Sequence, residues 1–95
     1  MDVRFSRPAL QQVDQMLAAM GEGDVDEAAR MAMRIERILH VLLRFPQLGR
    51  RTDMTDVRIV AVPGLPYWSL YVQPDDEGLR VLRLRHGRQW QRTVQ

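Results

Sequence analysis

From Gly78 to its end the chain holds Arg80, Arg83, Arg85, Arg88 and Arg92, and no acidic residue. Three of these arginines sit in a short strand-like run, Leu79–Arg85, that passes straight into His86, Gly87, Arg88, Gln89 and Trp90. A guanidinium group offers paired N–H donors that match the oxygens of phosphate or carboxylate. Such a stretch is suited to holding a polyanion or an acidic partner. Every basic residue other than the two His is Arg, which codon usage alone could produce. The position of the arginines is more telling. Residues 1–48 carry six Arg against seven acids, and residues 49–95 carry eight Arg against five. Upstream of the run stand Leu48, Gly49 and Arg50, then Arg58, then Tyr67 to Tyr71.

Other chemistries find little support. There is no Cys, so neither a disulfide nor a thiolate metal site can form. With two His and no Cys, no metal is expected. No glycine-rich phosphate loop of a nucleotide or dinucleotide site is present, so no cofactor is expected. The longest apolar runs fall far short of the roughly 20 residues of a membrane span, and Met1 to Arg4 do not begin a signal peptide. The chain reads as cytoplasmic, with no membrane partner.

The 95 residues, 45% apolar and 27% charged, make one domain with a single modest core. A strand is expected at about 2–5. Ser6 is placed to cap a helix at about 7–20, with Pro8 in the first turn and Leu10, Val13, Leu17 and Met20 on one face. Gly21 to Gly23 should end it. Asp24 and Glu27 resemble a capping box for a second helix at about 25–44, with Ala28, Met31, Ala32, Ile35, Ile38, Leu39 and Leu42 inward. Phe45–Pro46 stops that helix. Strands at about 57–62, 67–73 and 79–85 follow, separated by Pro63–Pro66 and Pro74–Gly78, with a tail over 86–95. The expected architecture is α+β in the order β-α-α-β-β-β, a helical hairpin packed on one face of a small antiparallel sheet. Period-2 alternation turns Trp68, Leu70, Leu82 and Leu84 toward the helices, and Tyr67, Tyr71, Arg83 and Arg85 away from them.

At this length and element order, the marks Phe45–Pro46, Leu48–Arg50, Val57–Arg58, Pro66–Tyr67, Tyr71 and Val81–Leu84 leading into His86–Arg88 resemble the RelE/ParE superfamily of toxins from type II toxin–antitoxin modules. The resemblance spans roughly residues 3 to 90. It implies one of two activities. RelE-type members cut mRNA on the ribosome with a constellation of basic residues, and ParE-type members poison DNA gyrase. Cleavage by 2′-OH attack needs a base, cations for the phosphate and a proton donor. The nuclease candidates by this resemblance are Arg58, His86 and Arg88. Val60 and Trp68 stand where the RelE pattern wants basic residues, and no tyrosine follows Tyr71.

The resemblance therefore favours the ParE-like branch, acting by binding. Arg83, Arg85, His86, Arg88 and Trp90 are then the target-binding candidates. Tyr67, Tyr71, Arg83 and Arg85 are candidates for an antitoxin, whose amphipathic helix and added strand would use a groove beside the hairpin. An inactive, antitoxin-bound family member is the remaining alternative. Each residue also has a plain structural role open to it. Arg58 can pair with Asp53 or Asp56, His86 can end a strand, Gly87 can supply positive φ, and Tyr67 and Tyr71 can be sheet residues. Trp90 can pin the tail.

Overall fold

The computed structural model describes residues 2–87. Arg88, Trp90 and the remaining tail lie outside the described residues. The elements are β1 (Asp2–Phe5), α1 (Arg7–Gly23), α2 (Val25–Arg44), β2 (Arg50–Arg51), β3 (Arg58–Val62), β4 (Leu65–Asp75) and β5 (Gly78–His86). The short β2 was not foreseen.

Each helix starts on a side-chain cap. The Ser6 hydroxyl accepts from the Ala9 N–H at 3.1 Å, and Asp24 Oδ1 accepts from the N–H groups of Asp26 and Glu27 at 2.9 and 3.2 Å. These caps satisfy donors that a helix start leaves unpaired. The hairpin turn differs from expectation. α1 continues through Gly21 and Gly23, and Asp24 alone makes the reversal in an extended conformation, φ −162° and ψ 108°. Its N–H closes α1 on the Met20 carbonyl while its side chain opens α2. Along α2, Met31, Ile35, Leu39 and Leu42 are buried, following the 3–4 spacing of one helical face. On α1 the inward face begins at Ala9, and Leu10 is half exposed.

The five strands form one sheet in the order β1-β5-β4-β3-β2. β2 to β5 are antiparallel neighbours, and β1 joins parallel to β5, Asp2–Phe5 beside Gly78–Val81. The sheet is therefore mixed rather than antiparallel. Short turns fix the meander locally. β1, by contrast, meets the last strand because the helical hairpin carries the chain from one sheet edge to the other. Where β1 ends, the start of α1 takes over the β5 edge. The Ser6 N–H donates to the Val81 carbonyl at 2.9 Å, its hydroxyl to the Leu82 carbonyl at 2.8 Å, and Leu84 N–H donates to Gln12 Oε1 at 2.9 Å.

One irregularity rearranges the faces. Tyr71 pairs with Arg83, but Val72 pairs with Val81, so Leu82 is an extra residue in β5. Such a bulge breaks strict alternation. Leu79, Val81 and Leu84 consequently all face the helices with Leu70, Val72, Val60 and Val62. Leu82, expected on that side, instead packs with Val57, Ile59 and Tyr71 on the opposite face. Val81 makes the reverse change.

The far end of β1 is tied down by charge. Arg4 Nη2 donates to Asp75, and its guanidinium also lies 3.5 Å from Asp2 and 3.6 Å from Glu77. This arginine holds the Asp75 carboxyl below its ordinary value of 3.8, chiefly through that hydrogen bond. A pKa lower in the folded than in the unfolded chain gives stability present above the unfolded value and lost as pH falls through the folded one. Asp75→Asn should therefore lower the melting temperature at pH 6, and the gap should shrink as pH drops below the usual carboxylate range. A gap that stays constant down to pH 2.5 would remove this role from Asp75.

Candidate functional site

The helices cover one face of the sheet, and the opposite face gathers the arginines. Cross-strand pairing defines who stands there, because directly opposed residues point the same way. One row runs Arg50, Ile59, Tyr71, Arg83, and the next Ala61, Ser69, Arg85. The bulge at Leu82 adds a third row, Gln73, Arg80 and Arg4. Strict alternation separates Arg80 from Arg83 and Arg85; the extra residue brings all three to one side. Arg80 and Arg50 were not among the expected site residues. Arg80 was concealed by the bulge, and Arg50 by the two-residue strand that places it.

Arg80, Arg83 and Arg85 are exposed, and none makes an ion pair with any described residue. The carboxylates at the edge of this face, Asp2, Asp75 and Glu77, are collected around Arg4 at the β1 corner. The β5 arginines are thus left to act outward. Beneath them Tyr71 is only 5% exposed and joins Val57, Ile59 and Leu82 in a small second core. The Arg85 guanidinium lies 5.9 Å from the centroid of the Tyr71 ring, within cation–π range. Tyr71 is therefore a floor for the arginines. Tyr67, 44% exposed, stands at the end of the same face.

His86 is placed by β5 against the rings of Trp68, at 4.6 Å between centroids, and Tyr67, at 6.4 Å. Trp68 itself packs on the main core, as expected. Gly87 then turns the chain with φ 120°, and its N–H donates to the Tyr67 carbonyl at 2.8 Å.

Arg58 is engaged elsewhere. Its Nη1 donates to the carbonyls of Gln47 and Gly49 at 3.1 and 2.8 Å, clamping the connection from α2 to β2. The partners are backbone oxygens, not Asp53 or Asp56. Gly49 is needed there, because a Cβ would lie 2.7 Å from Val60 Cγ2 and 2.9 Å from Arg58 Cβ. Arg58 pairs with Val72 and His86 with Trp68, four residues further along β4, which is about 13 Å at the usual strand rise. The fold does not bring these two nuclease candidates together. Arg58→Ala should lower unfolding stability by about 1–3 kcal/mol through the lost charged hydrogen bonds. Chemical denaturation checks this, and an unchanged midpoint would make the clamp dispensable.

Two hollows flank the sheet. One, of about 640 Å³, lies along the 51–58 loop and is lined by both charge signs, Arg51, Asp53, Asp56 and Arg58 among them. The other, about 300 Å³ and mainly apolar, opens between β1 and the helices, lined by Val3, Phe5, Val13, Leu17, Ile35 and Leu39. β1 is a sheet edge, so this apolar groove runs beside backbone groups free to pair with another strand. Among the described residues no cluster of His, Asp and Glu could hold a metal ion. No described helix is long and apolar enough to cross a membrane.

A helical hairpin on one side of a mixed sheet, with an arginine-bearing face on the other, defines a class of small α+β protein. The family profile described as "ParE toxin of type II toxin-antitoxin system, parDE" matches residues 3–90. The chain belongs to this ParE toxin family. It is 28% identical over 93 residues to "Putative toxin Y4kP" of Sinorhizobium fredii (strain NBRC 101917 / NGR234), covering 97% of this chain and 95% of that protein. Its fold is similar to a solved structure titled "Chromosomal ParDE TA system from P. aeruginosa". The TM-score is 0.75 over 93% of this chain and 97% of that one, at 15% identity.

Proposed function

We propose that this chain is the toxin of a type II toxin–antitoxin pair, acting in the cytoplasm by binding DNA gyrase and held in check by a cognate antitoxin. The observation that carries the reading is the β5 arginine face, whose Arg80, Arg83 and Arg85 are exposed and make no ion pair with any described residue, with Arg58 already committed to backbone carbonyls. A face of this kind supports action by binding. Its members are Arg83 and Arg85; His86, at the strand end, points with Trp68 to the opposite face, and the tail residues Arg88 and Trp90 continue the same stretch of sequence.

For the antitoxin, the apolar groove beside β1 has the character of a seat for an amphipathic helix, with the open β1 edge available to an added strand. Met16 and Met31 lie in the core behind it, whereas Met33 is exposed. Tyr67, Arg83 and Arg85 offer an acidic antitoxin segment a second contact, with Tyr71 as the support beneath.

The test is supercoiling by purified gyrase. The chain should inhibit it, and the Arg83→Ala/Arg85→Ala/Arg88→Ala variant should lose inhibition and growth arrest while keeping its fold by circular dichroism. A fully toxic triple variant would move the target surface elsewhere. Codon-boundary cleavage of mRNA in a translation extract, with gyrase unaffected, would replace this reading by the RelE-like one. No growth defect on induction without the antitoxin would indicate an inactive member.

A further inference from the structure

We infer that the open sheet face binds the phosphodiester backbone of duplex DNA directly, through Arg80, Arg83 and Arg85. This deepens the target-surface reading and rests on it for where the contact is used: the gyrase-bound DNA, rather than the enzyme alone, would meet β5.

Placement supports it first. Arg83 and Arg85 stand two residues apart on one face, about 7 Å by strand rise, close to the spacing of neighbouring phosphates along a nucleic-acid strand. The Leu82 bulge sets Arg80 on that same side, opposite Gln73, so the three form a line along a single strand. Arg50 stands across the sheet from Arg83, on the row that passes through Ile59 and Tyr71.

The electrostatics point the same way. The nearby carboxylates Asp2, Asp75 and Glu77 gather around Arg4 at the corner, and none of them makes an ion pair with Arg80, Arg83 or Arg85. Guanidinium groups bind phosphate with two N–H donors each and release condensed counterions. Arg85 is held over the Tyr71 ring, which limits its rotamers before a phosphate arrives.

The floor of the face separates duplex DNA from other anionic partners. Hot spots of protein interfaces are enriched in Trp and Tyr as well as Arg, seated in desolvated pockets. Here Tyr71 and Ile59 are already buried, at 5% and 2% exposure, by their own neighbours. What projects is charge. Binders of single strands stack bases on several aromatic side chains. Among the described residues of this face only Tyr67 is an exposed aromatic, and it lies at the end of the line. Contacts to a duplex backbone need donors and positive charge alone.

The experiment is fluorescence anisotropy of the full chain with a labelled random-sequence DNA duplex of about 20 base pairs, titrated from 50 to 200 mM salt without gyrase. Three phosphate contacts predict a log–log salt slope of about −2.7, which is roughly a 40-fold loss of affinity over that range. Arg80→Gln, Arg83→Gln and Arg85→Gln should each reduce the slope by about 1. Arg30→Gln and Arg37→Gln, exposed on α2, should leave it unchanged. All five side chains are exposed, so thermal melts should coincide with that of the unsubstituted chain.

A flat salt response overturns the inference, as does a slope indifferent to the β5 substitutions. Two competitor arms decide the class. Tenfold tighter binding of single-stranded RNA, or displacement of the duplex by polyglutamate at equal charge, also overturns it. The outcomes separate the two readings. Gyrase inhibition without duplex binding defeats only this inference. Duplex binding without gyrase inhibition defeats the target assignment and leaves the surface standing.

Discussion

Replacing Gly78 by Ala is expected to destabilise the protein by at least about 3 kcal/mol. Gly78 has φ 136°, a region L side chains rarely adopt, and such backbone strain by itself is worth about 1–3 kcal/mol. The added methyl has nowhere to go. An ideal Cβ would lie 2.0 Å from the Asp2 carbonyl oxygen and 2.6 Å from its nitrogen. Both are backbone atoms of the parallel β1–β5 pair, so relief requires β1 to leave the sheet. That would withdraw Val3 and Phe5 from the core and disturb Ser6, which caps α1 and bonds to Val81 and Leu82. Gly23→Ala is the control. It lies in a helix with nothing within 4 Å of its Cβ, and Ala there should be neutral or stabilising by about 0.5–1 kcal/mol. Urea denaturation of both variants provides the measurement. A Gly78→Ala protein within 1 kcal/mol of the unsubstituted chain would mean that β1 does not pack as described.

The second large effect separates two leucines two residues apart. Leu84→Ala should cost about 2–5 kcal/mol, since Leu84 is 3% exposed and lies in the main core between sheet and helices. Leu82→Ala should cost about 1 kcal/mol, because Leu82 is only half-buried and touches the small cluster of Val57, Ile59 and Tyr71. If β5 alternated regularly, the two would share a face and their losses would match. Equal losses would therefore refute the bulge, and with it the placement of Arg80 beside Arg83 and Arg85.

Much of the architecture was legible because its causes are local. The spacing of Met31, Ile35, Leu39 and Leu42 marks one helical face whatever packs on it. Ser6 and Asp24 cap because their side chains reach N–H groups two or three residues ahead. The turns at Pro63–Pro66 and Pro74–Gly78 join neighbouring strands, so the meander follows from sequence order. The inward Trp68, Leu70 and Leu84 and the outward Tyr71, Arg83 and Arg85 were likewise readable by alternation. Arg58 was only half legible. A structural role was foreseen, but its carbonyl partners Gln47 and Gly49 belong to a loop whose path the sequence does not encode in any periodic signal.

The arginine-rich end of the chain shows where the division falls. The sequence by itself determined that Arg80, Arg83 and Arg85 lie in one strand after the last acidic residue, and that the protein is a helical hairpin with a meander of strands. Charge order and periodicity are properties of the chain and need no partner. Only the tertiary structure decided that the three arginines share a face. The single extra residue at Leu82 has no local signature, since a bulge is defined by which residue on the neighbouring strand goes unmatched. Contacts between Asp2 and Gly78, and between Ser6 and Leu82, completed the arrangement. Those pairs are more than 70 residues apart, and it is the packing of the hairpin against the sheet that brings them together.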